Sequence, residues 1–539
     1  MADDIVADVV VIGSGVAGAL MAARLARTNV AVAILEAGGE VDRGNAVQAF
    51  WDAADKVPEC PYPPTPQAMH PVTGRLKDWY RQDGPDLFAS TYLKVVGGTT
   101  WHWLGTALRF LPSDFRLASL HGHGVDWPIA YDELEAYYGY AEHELGVSGE
   151  SDVDLGSPRH VPYPMPPIPQ TFLDRTFASA LEGTPYEVRS TPQARNSVWR
   201  HDRIPCCGNA SCIPVCPVQA KYDATVHLGE AVAAGARLID KSTVVQIELG
   251  PDRRVSGVRF RRWDGSEGRA RGKVVVLAAH AIEGPRLLLA SRSEAAPNGV
   301  ANGSDQVGRN LMDHPTQLSW ALSALPVYPY RGPISTSGIE NLREGEFRRE
   351  RGAFRIEIGN DGWSWPTGAP IALARELARQ GRRGAELDDA LRSQSARHIR
   401  LASLVEQLPD PGNRLTLDPT DRDVYGVPVP RIAYRIDDYT RAGMQAARTA
   451  HAAIFARLDA TAIHHSPEAQ GAGHIIGTAR MGKDARTSVV DRDLRSHEHP
   501  NLFVLGSAVF PTSATANPTL TIAALSLRAV AAVREQLAR

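Results

Sequence analysis

No stretch of the 539 residues reaches the run of about eighteen uncharged apolar residues that a membrane-spanning helix requires. The most apolar late segment, Leu520 to Val533, is interrupted by Arg528. The opening Met1-Ala-Asp-Asp-Ile-Val lacks the basic n-region, apolar h-region and small-residue cleavage site of a secretory signal. Charge of one sign is missing too. The formal net charge of −3 gives no electrostatic reason to expect nucleic acid or an anionic membrane surface as partner. There is no internal repeat and no long low-complexity tract. These absences predict a soluble chain with no direct membrane span. Cysteine is scarce, at five residues, and unevenly placed. Cys60 stands alone and reads as a structural thiol, whereas Cys206, Cys207, Cys212 and Cys216 crowd one short segment. A disulfide framework would scatter its cysteines over a chain this long, so the cluster points to a metal or redox site.

The length is too great for one simple core and predicts about two to four domains, or one large cofactor domain with insertions. Residues 7–12 form a β-branched run that ends in Gly13-Ser14-Gly15-Val-Ala-Gly18, followed by a helix-compatible stretch to about Thr28. A second strand, Ala31 to Leu35, ends at Glu36. This is a βαβ opening carrying a dinucleotide fingerprint. Gly13 permits the tight turn, Gly15 lets backbone approach a pyrophosphate, and Gly18 lets the helix pack on the sheet. Glu36 is placed to accept hydrogen bonds from ribose hydroxyls, which favours FAD or NAD over NADP.

Further along, residues 240–262 read as a hairpin around a turn at Gly250-Pro-Asp. Val274 to Ala279 is a continuous apolar run, the pattern of a strand buried on both faces in a parallel sheet. Asn501 to Leu505 reads as a strand and the segment after Pro518 as a helix, while charged, helix-prone residues dominate about 370–400. Sheet-like signals at both ends of the chain imply a discontinuous cofactor domain, with a second, substrate-facing domain between them.

The cysteine segment Cys206-Cys207-Gly-Asn-Ala-Ser-Cys212-Ile-Pro-Val-Cys216-Pro217 ends in Cys-x3-Cys-Pro, which matches the close of bacterial ferredoxin motifs. Thiolates suit iron–sulfur or zinc, and zinc sites more usually show paired Cys-x2-Cys or added histidines. Vicinal Cys206 and Cys207 cannot easily both hold one cluster. That leaves three ligands, with either Cys206 or Cys207 as the first, and suggests a three-iron cluster, or a four-iron cluster with a non-Cys ligand. A local disulfide or zinc knot is the alternative.

Three further segments make the chain resemble the GMC (glucose–methanol–choline) flavoprotein family. They are Val96-Gly97-Gly98-Thr99-Thr100-Trp101-His102-Trp103, Ala281-Ile-Glu283-Gly-Pro-Arg286-Leu-Leu288, and the region from Gly473-His474-Ile-Ile-Gly477 to Ala516-Asn517-Pro518-Thr519. The resemblance covers essentially the whole chain and is strongest to catalytic subunits of bacterial membrane-associated sugar dehydrogenases of the glucose and fructose dehydrogenase type. It implies an α/β fold: a discontinuous Rossmann-like FAD-binding domain (1–110, 220–315 and 465–539), an insertion with the cysteine segment (111–219), and a substrate domain with an antiparallel sheet (316–464).

By the same resemblance His474 is the general base, and Asn517 holds the substrate hydroxyl toward the flavin. Gly97, Gly98, Thr99, Val244, Gly506, Pro518 and Thr519 join the fingerprint at the cofactor. His102 lies beside the flavin, either packed on its dimethylbenzene edge or bonded to it covalently; Trp101 and Trp103 read as packing residues. The implied ligands of a [3Fe–4S] cluster are Cys206, Cys212 and Cys216. Asp313 and His314 read as a structural turn into the substrate domain, and His464, His465, His497 and His499 as surface or supporting residues.

The expected reaction is oxidation of an aldose such as glucose, or a polyol, by hydride transfer to FAD. Electrons would pass through the cluster to an external acceptor such as a cytochrome c subunit. Alternatives are the same chemistry on a gluconate-like sugar acid, a ketose or a glycoside, then an oxidase, a lyase with structural FAD, or a non-catalytic electron carrier. The cluster argues against the oxidase and the lyase, and the His474–Asn517 pair against the carrier. Implied partners are a small export subunit and the cytochrome, with a periplasmic, membrane-associated location; a cytoplasmic enzyme is the alternative.

Overall fold

A computed structural model describes residues 3–54, 56–361 and 370–539. The first two residues of the signal reading, and 362–369 of the expected substrate domain, lie outside the described residues. The opening strand Val9–Ile12 is fully buried and pairs in parallel with Val32–Leu35 on one side and Val274–Leu277 on the other. Arg237–Ile239 and Leu502–Val504 complete this five-stranded parallel sheet from distant parts of the chain. Its three inner strands are short, wholly buried aliphatic runs because both faces are covered, which removes the need for alternation. The helices Val16–Ala26 and Thr519–Ala538 pack against each other, and both have largely buried, alanine-rich surfaces.

Glycine is required where this sheet meets its first helix. Gly13 has φ +99, and a Cβ there would lie 2.6 Å from the Ala278 carbonyl oxygen. At Gly18 a Cβ would lie 2.1 Å from the Gly13 carbonyl oxygen, so helix and turn touch backbone to backbone. The predicted hairpin forms as Ser242–Leu249 paired with Val255–Arg262. It belongs to a separate four-stranded sheet with Glu267–Arg271 and Asp3–Val6.

The second large unit is a six-stranded sheet whose order runs Thr461–His465, Thr316–Leu322, His398–Val405, Phe354–Gly359, Ser337–Ile339, Val188–Ser190. Its neighbouring strands pair antiparallel. Successive side chains of a strand point to opposite faces. Phe354, Ile356, Ile358, Ile399, Leu401 and Val405 therefore form one core with Ala447, Ile454 and Phe455 of the helix Asp438–Arg457. The intervening residues Arg355, Glu357, Arg400, Ala402 and Leu404 face the other way. One strand of this sheet, Val188–Ser190, comes from the 111–219 stretch that holds the cysteine segment. The charged region near 370–400 forms the helices Pro370–Arg379 and Gly384–Ser395. No helix among the described residues is long and apolar enough to cross a membrane.

Buried ions lock the end of the strand His398–Val405. Arg348, fully buried, pairs with Asp114 at 2.9 Å and Glu406 at 2.6 Å. Glu406 also accepts from the Tyr439 hydroxyl at 3.0 Å. Removing the cation strands two buried carboxylates. Arg348→Met should destabilise the protein by about 3–5 kcal/mol in chemical denaturation; a loss under about 1 kcal/mol would contradict this account of the network.

Candidate active site

One cavity of about 690 Å³ runs from the fingerprint turn to the antiparallel sheet. Of the sequence-predicted cofactor residues, Gly13, Ser14, Gly15, Glu36, Gly98, Thr99, His102, Val244, Gly506, Pro518 and Thr519 line it, as do His474 and Asn517. Gly18 and Gly97 do not. Gly18 is the helix-packing contact, and Gly97 lies behind the wall at φ +92, where a Cβ would meet the Trp101 indole nitrogen at 3.0 Å. Trp101 is buried packing, as read, but Trp103 lines the cavity and donates to the Tyr222 carbonyl at 2.7 Å.

The fingerprint end fits a dinucleotide. Nothing lies within 4 Å of the position a Cβ would take on Gly15, which leaves the helix N-terminus open to a phosphate. The Glu36 carboxylate accepts from Ser14 N at 3.0 Å, Ser14 Oγ at 2.7 Å and Gly38 N at 2.8 Å. Burial raises its pKa, and those hydrogen bonds oppose the rise. At the other edge, His102 is 7 % exposed with no partner on Nδ1, and burial lowers its pKa to about 3. A neutral imbalance of this kind, an unpaired ring nitrogen on the cavity wall, suits contact with a flavin edge.

At the far end, a chain of hydrogen bonds fixes the protonation of His474. His314, 0 % exposed, contacts the Ser513 and Ala514 carbonyls through Nε2 at 3.2 and 3.0 Å. Carbonyls only accept, so that nitrogen carries the hydrogen. Burial holds the His314 pKa near 4, so the ring is neutral and its Nδ1 is an acceptor. His314 Nδ1 faces His474 Nδ1 at 2.8 Å, hence His474 donates there and its Nε2 keeps the lone pair. Asn517 Nδ2 lies 3.3 Å from that Nε2. The Asn517 amide is oriented by Arg355, whose Nη1 donates to Oδ1 at 3.3 Å while Glu340 holds the same guanidinium at 2.9 Å.

This corrects the reading of Asp313 and His314 as a mere turn. Asp313 Oδ1 accepts from the backbone of both His314 (2.7 Å) and His474 (3.0 Å), and Oδ2 accepts from Ser90. Burial pushes the Asp313 pKa up to about 6. The motif Asp313-His314-Pro315 was visible in the sequence, but its partner lies 160 residues on. Arg355, Glu340 and Glu357 carried no motif at all. His464 stacks on Trp320 at 4.5 Å, His465 and His497 bond Ser319 and Ser488, and buried His499 ties Arg253 to Ala301. None of the four lines this cavity.

None of the five cysteines is paired in a disulfide. Ile213 and Pro214, between Cys212 and Cys216, line the same cavity as His102. Val215 packs with Trp101 and Tyr62, and the Tyr62 hydroxyl donates to the Pro214 carbonyl at 2.9 Å. Burial raises the Cys206 pKa; the nearby Arg195 cation and the Gly208 N–H lower it, and the Cys212 and Cys216 thiols raise it further. Cys207 is exposed. Backbone N–H groups of Gly208 and Lys221 point at Cys206 and Cys216 sulfur at 3.4 and 3.5 Å. Such donors stabilise thiolates and fit an iron–sulfur donor set. Among the described residues, no three His, Cys, Asp or Glu side chains converge on a single metal-ion position. Lys221, which sequence reasoning passed over, links the two regions. Its ammonium binds the Trp101 and Trp103 carbonyls at 2.8 and 2.5 Å, and burial lowers its pKa to about 8.

Two family profiles described as GMC oxidoreductase match residues 69–316 and 409–526, and a profile described as lycopene cyclase protein matches 8–60. The fructose dehydrogenase large subunit of Gluconobacter japonicus is 37 % identical over 98 % of this chain and 98 % of its own. The gluconate 2-dehydrogenase flavoprotein of Pantoea cypripedii is 24 % identical over 98 % and 94 %. The crystal structure of pyridoxine 4-oxidase from Mesorbium loti superposes with a TM-score of 0.64 at 18 % identity, covering 98 % of this chain and 99 % of that one.

The hydrogen-bond chain makes a direct spectroscopic prediction. Burial first, then the His314 ring and the Arg355 cation, hold the His474 pKa well below 6.5. Because the neutral form persists above that lowered pKa, His474 stays neutral as pH falls through 6.5. In ¹⁵N-histidine NMR of the FAD-loaded protein, His474 should remain the Nδ1–H tautomer from about pH 7.5 to about 5.5. Titration at or above pH 6.5 would contradict the network.

Proposed function

The chain belongs to the GMC oxidoreductase family and is an FAD-dependent dehydrogenase of CH–OH donors, and from that premise we propose that it oxidises a neutral sugar or polyol through His474 and Asn517. The observation that carries the reading is the unprotonated Nε2 of His474, facing Asn517 on the wall of the cavity that begins at the fingerprint turn. Bound FAD supplies the hydride acceptor. Gly13, Ser14, Gly15 and Glu36 would hold its nucleotide end, and Gly98, Thr99, His102, Val244, Gly506, Pro518 and Thr519 would enclose the rest.

A substrate hydroxyl placed between His474 Nε2 and the Asn517 amide is held in one orientation, which is the positioning contribution. His474 takes the hydroxyl proton at Nε2 as hydride leaves the carbon. The imidazolium so formed keeps its Nδ1–H on His314, whose ring is anchored on two carbonyls. Arg355 prevents the Asn517 amide from flipping, so its N–H, not its oxygen, meets the base.

Electrons would leave the site singly. The soft donor set Cys206, Cys212 and Cys216 would hold a [3Fe–4S] cluster as the one-electron outlet, and the cavity wall formed by Ile213 and Pro214 supports its closeness to the flavin. The Gluconobacter japonicus relative is named a large subunit. That name supports a complex, with a small export subunit and a cytochrome c subunit at the periplasmic face as the proposed partners. A gluconate-like sugar acid is the second reading, favoured by the similarity to a gluconate 2-dehydrogenase flavoprotein.

His474→Ala should lower kcat by about 10²- to 10⁴-fold with a glucose-type donor and an artificial acceptor, while the flavin absorbance stays intact. Near-wild-type turnover would remove His474 as the base. Acid precipitation separates the two readings of His102. Flavin that stays with the protein makes it the covalent attachment site once His102→Ala releases it, whereas free flavin in the supernatant leaves a packing contact.

A further inference from the structure

The catalytic pair uses only one margin of the cavity-facing side of the antiparallel sheet. Strand register divides that side into rows. Arg355 lies opposite Leu404, Glu357 opposite Ala402 and Gly359 opposite Arg400. Thr316, Leu318 and Trp320 continue the same three rows on the next strand. Rows two residues apart are separated by about 7 Å.

The first row is committed to the base, because Arg355 is held by Glu340 and holds Asn517. The third row is closed by an ion pair. Arg400 binds Asp361 through Nε at 2.8 Å and Nη2 at 2.7 Å. It lies across Gly359, where a Cβ would be 2.3 Å from Nη2. The middle row is different. Glu357 is 6 % exposed and lines the cavity, flanked by Ala402 and Leu318. Its one partner among the described residues is Arg355 Nη1 at 3.7 Å, beyond hydrogen-bond distance. Glu340 and Asp361 each hold a guanidinium within 3 Å, and Glu357 alone of the three carboxylates keeps only a long contact.

A buried carboxylate with unused acceptor capacity calls for donors. On the proposal above, the occupant of this cavity is an alcohol whose reacting carbon lies at His474 and Asn517. We propose that Glu357 is the sugar-binding carboxylate. It accepts hydrogen bonds from hydroxyls one row away from the reacting carbon, and its carboxylate, facing the cavity, rejects sugar acids. A neutral hexose supplies donors at both rows; a two- or three-carbon alcohol is too short to bridge them. A sugar acid brings a second carboxylate to a wall that already presents that of Glu357.

The experiment measures anaerobic flavin reduction and steady-state kinetics for wild type, Glu357→Gln and the shorter Glu357→Asp, with a neutral hexose, its monodeoxy analogues and the matching aldonic acid. Glu357→Gln should raise KM for the hexose about 10- to 100-fold with kcat kept within about threefold, the effect of losing hydrogen bonds to a charged group. Selectivity for hexose over aldonic acid should fall by at least about tenfold, and one monodeoxy sugar should show no further loss in the variant. An unchanged KM and selectivity in Glu357→Gln would overturn the subsite while leaving the dehydrogenase reading in place. A fall in kcat with KM unchanged would do the same, because it would assign Glu357 to holding Asn517 through Arg355. If no neutral sugar reduces the wild-type flavin, the subsite and the sugar dehydrogenase reading fall together.

Discussion

A hydrogen bond of 2.8 Å joins the Nδ1 atoms of His314 and His474, and only one proton can lie between them. Which ring owns it is decided outside the pair, by the Ser513 and Ala514 carbonyls that claim the other side of His314. That choice propagates. It leaves a lone pair on His474 Nε2, it requires an N–H from Asn517 opposite, and it requires a donor such as Arg355 behind the Asn517 oxygen. Every member is buried or half-buried, so an error in one orientation would leave a polar atom unpaired at a cost of about 1–3 kcal/mol.

The network also explains why the fold has two large sheets. The parallel sheet places the fingerprint turn and, through Leu502–Val504, starts the segment that ends at Ser513, Ala514 and Asn517. The antiparallel sheet supplies Arg355 from Phe354–Gly359, and His314 just precedes Thr316–Leu322. Asp313 fastens the two sides by taking the backbone N–H of His474. The cavity is therefore built where two independently packed cores meet, and each core holds one half of the hydrogen-bond chain.

Legibility in the sequence followed how local the physics was. The βαβ opening was readable because Gly13, Gly15, Gly18 and Glu36 act within one short unit. The buried strand at Val274–Leu277 showed itself as an unbroken apolar run. His474 and Asn517 were legible through family resemblance, since a lone histidine carries no such signal. Arg355 and Glu357 were not. They alternate with Phe354, Ile356 and Ile358 as any half-buried strand would, and only the register against Leu404, Ala402 and Arg400 turns that alternation into a site. His314 was misread because the ring it serves is distant in sequence. Lys221 escaped because its role rests on backbone carbonyls, which no side-chain pattern announces.

A base held ready for an alcohol proton and a cysteine loop share the wall of one cavity. Anaerobic titration of the purified protein with neutral sugars and polyols, following flavin absorbance and iron–sulfur EPR together, addresses both ends at once. One sugar should bleach the flavin, with the cluster signal changing in step. Bleaching with no iron signal would contradict the relay through Cys206, Cys212 and Cys216 and leave an oxidase or quinone-linked enzyme as the better description.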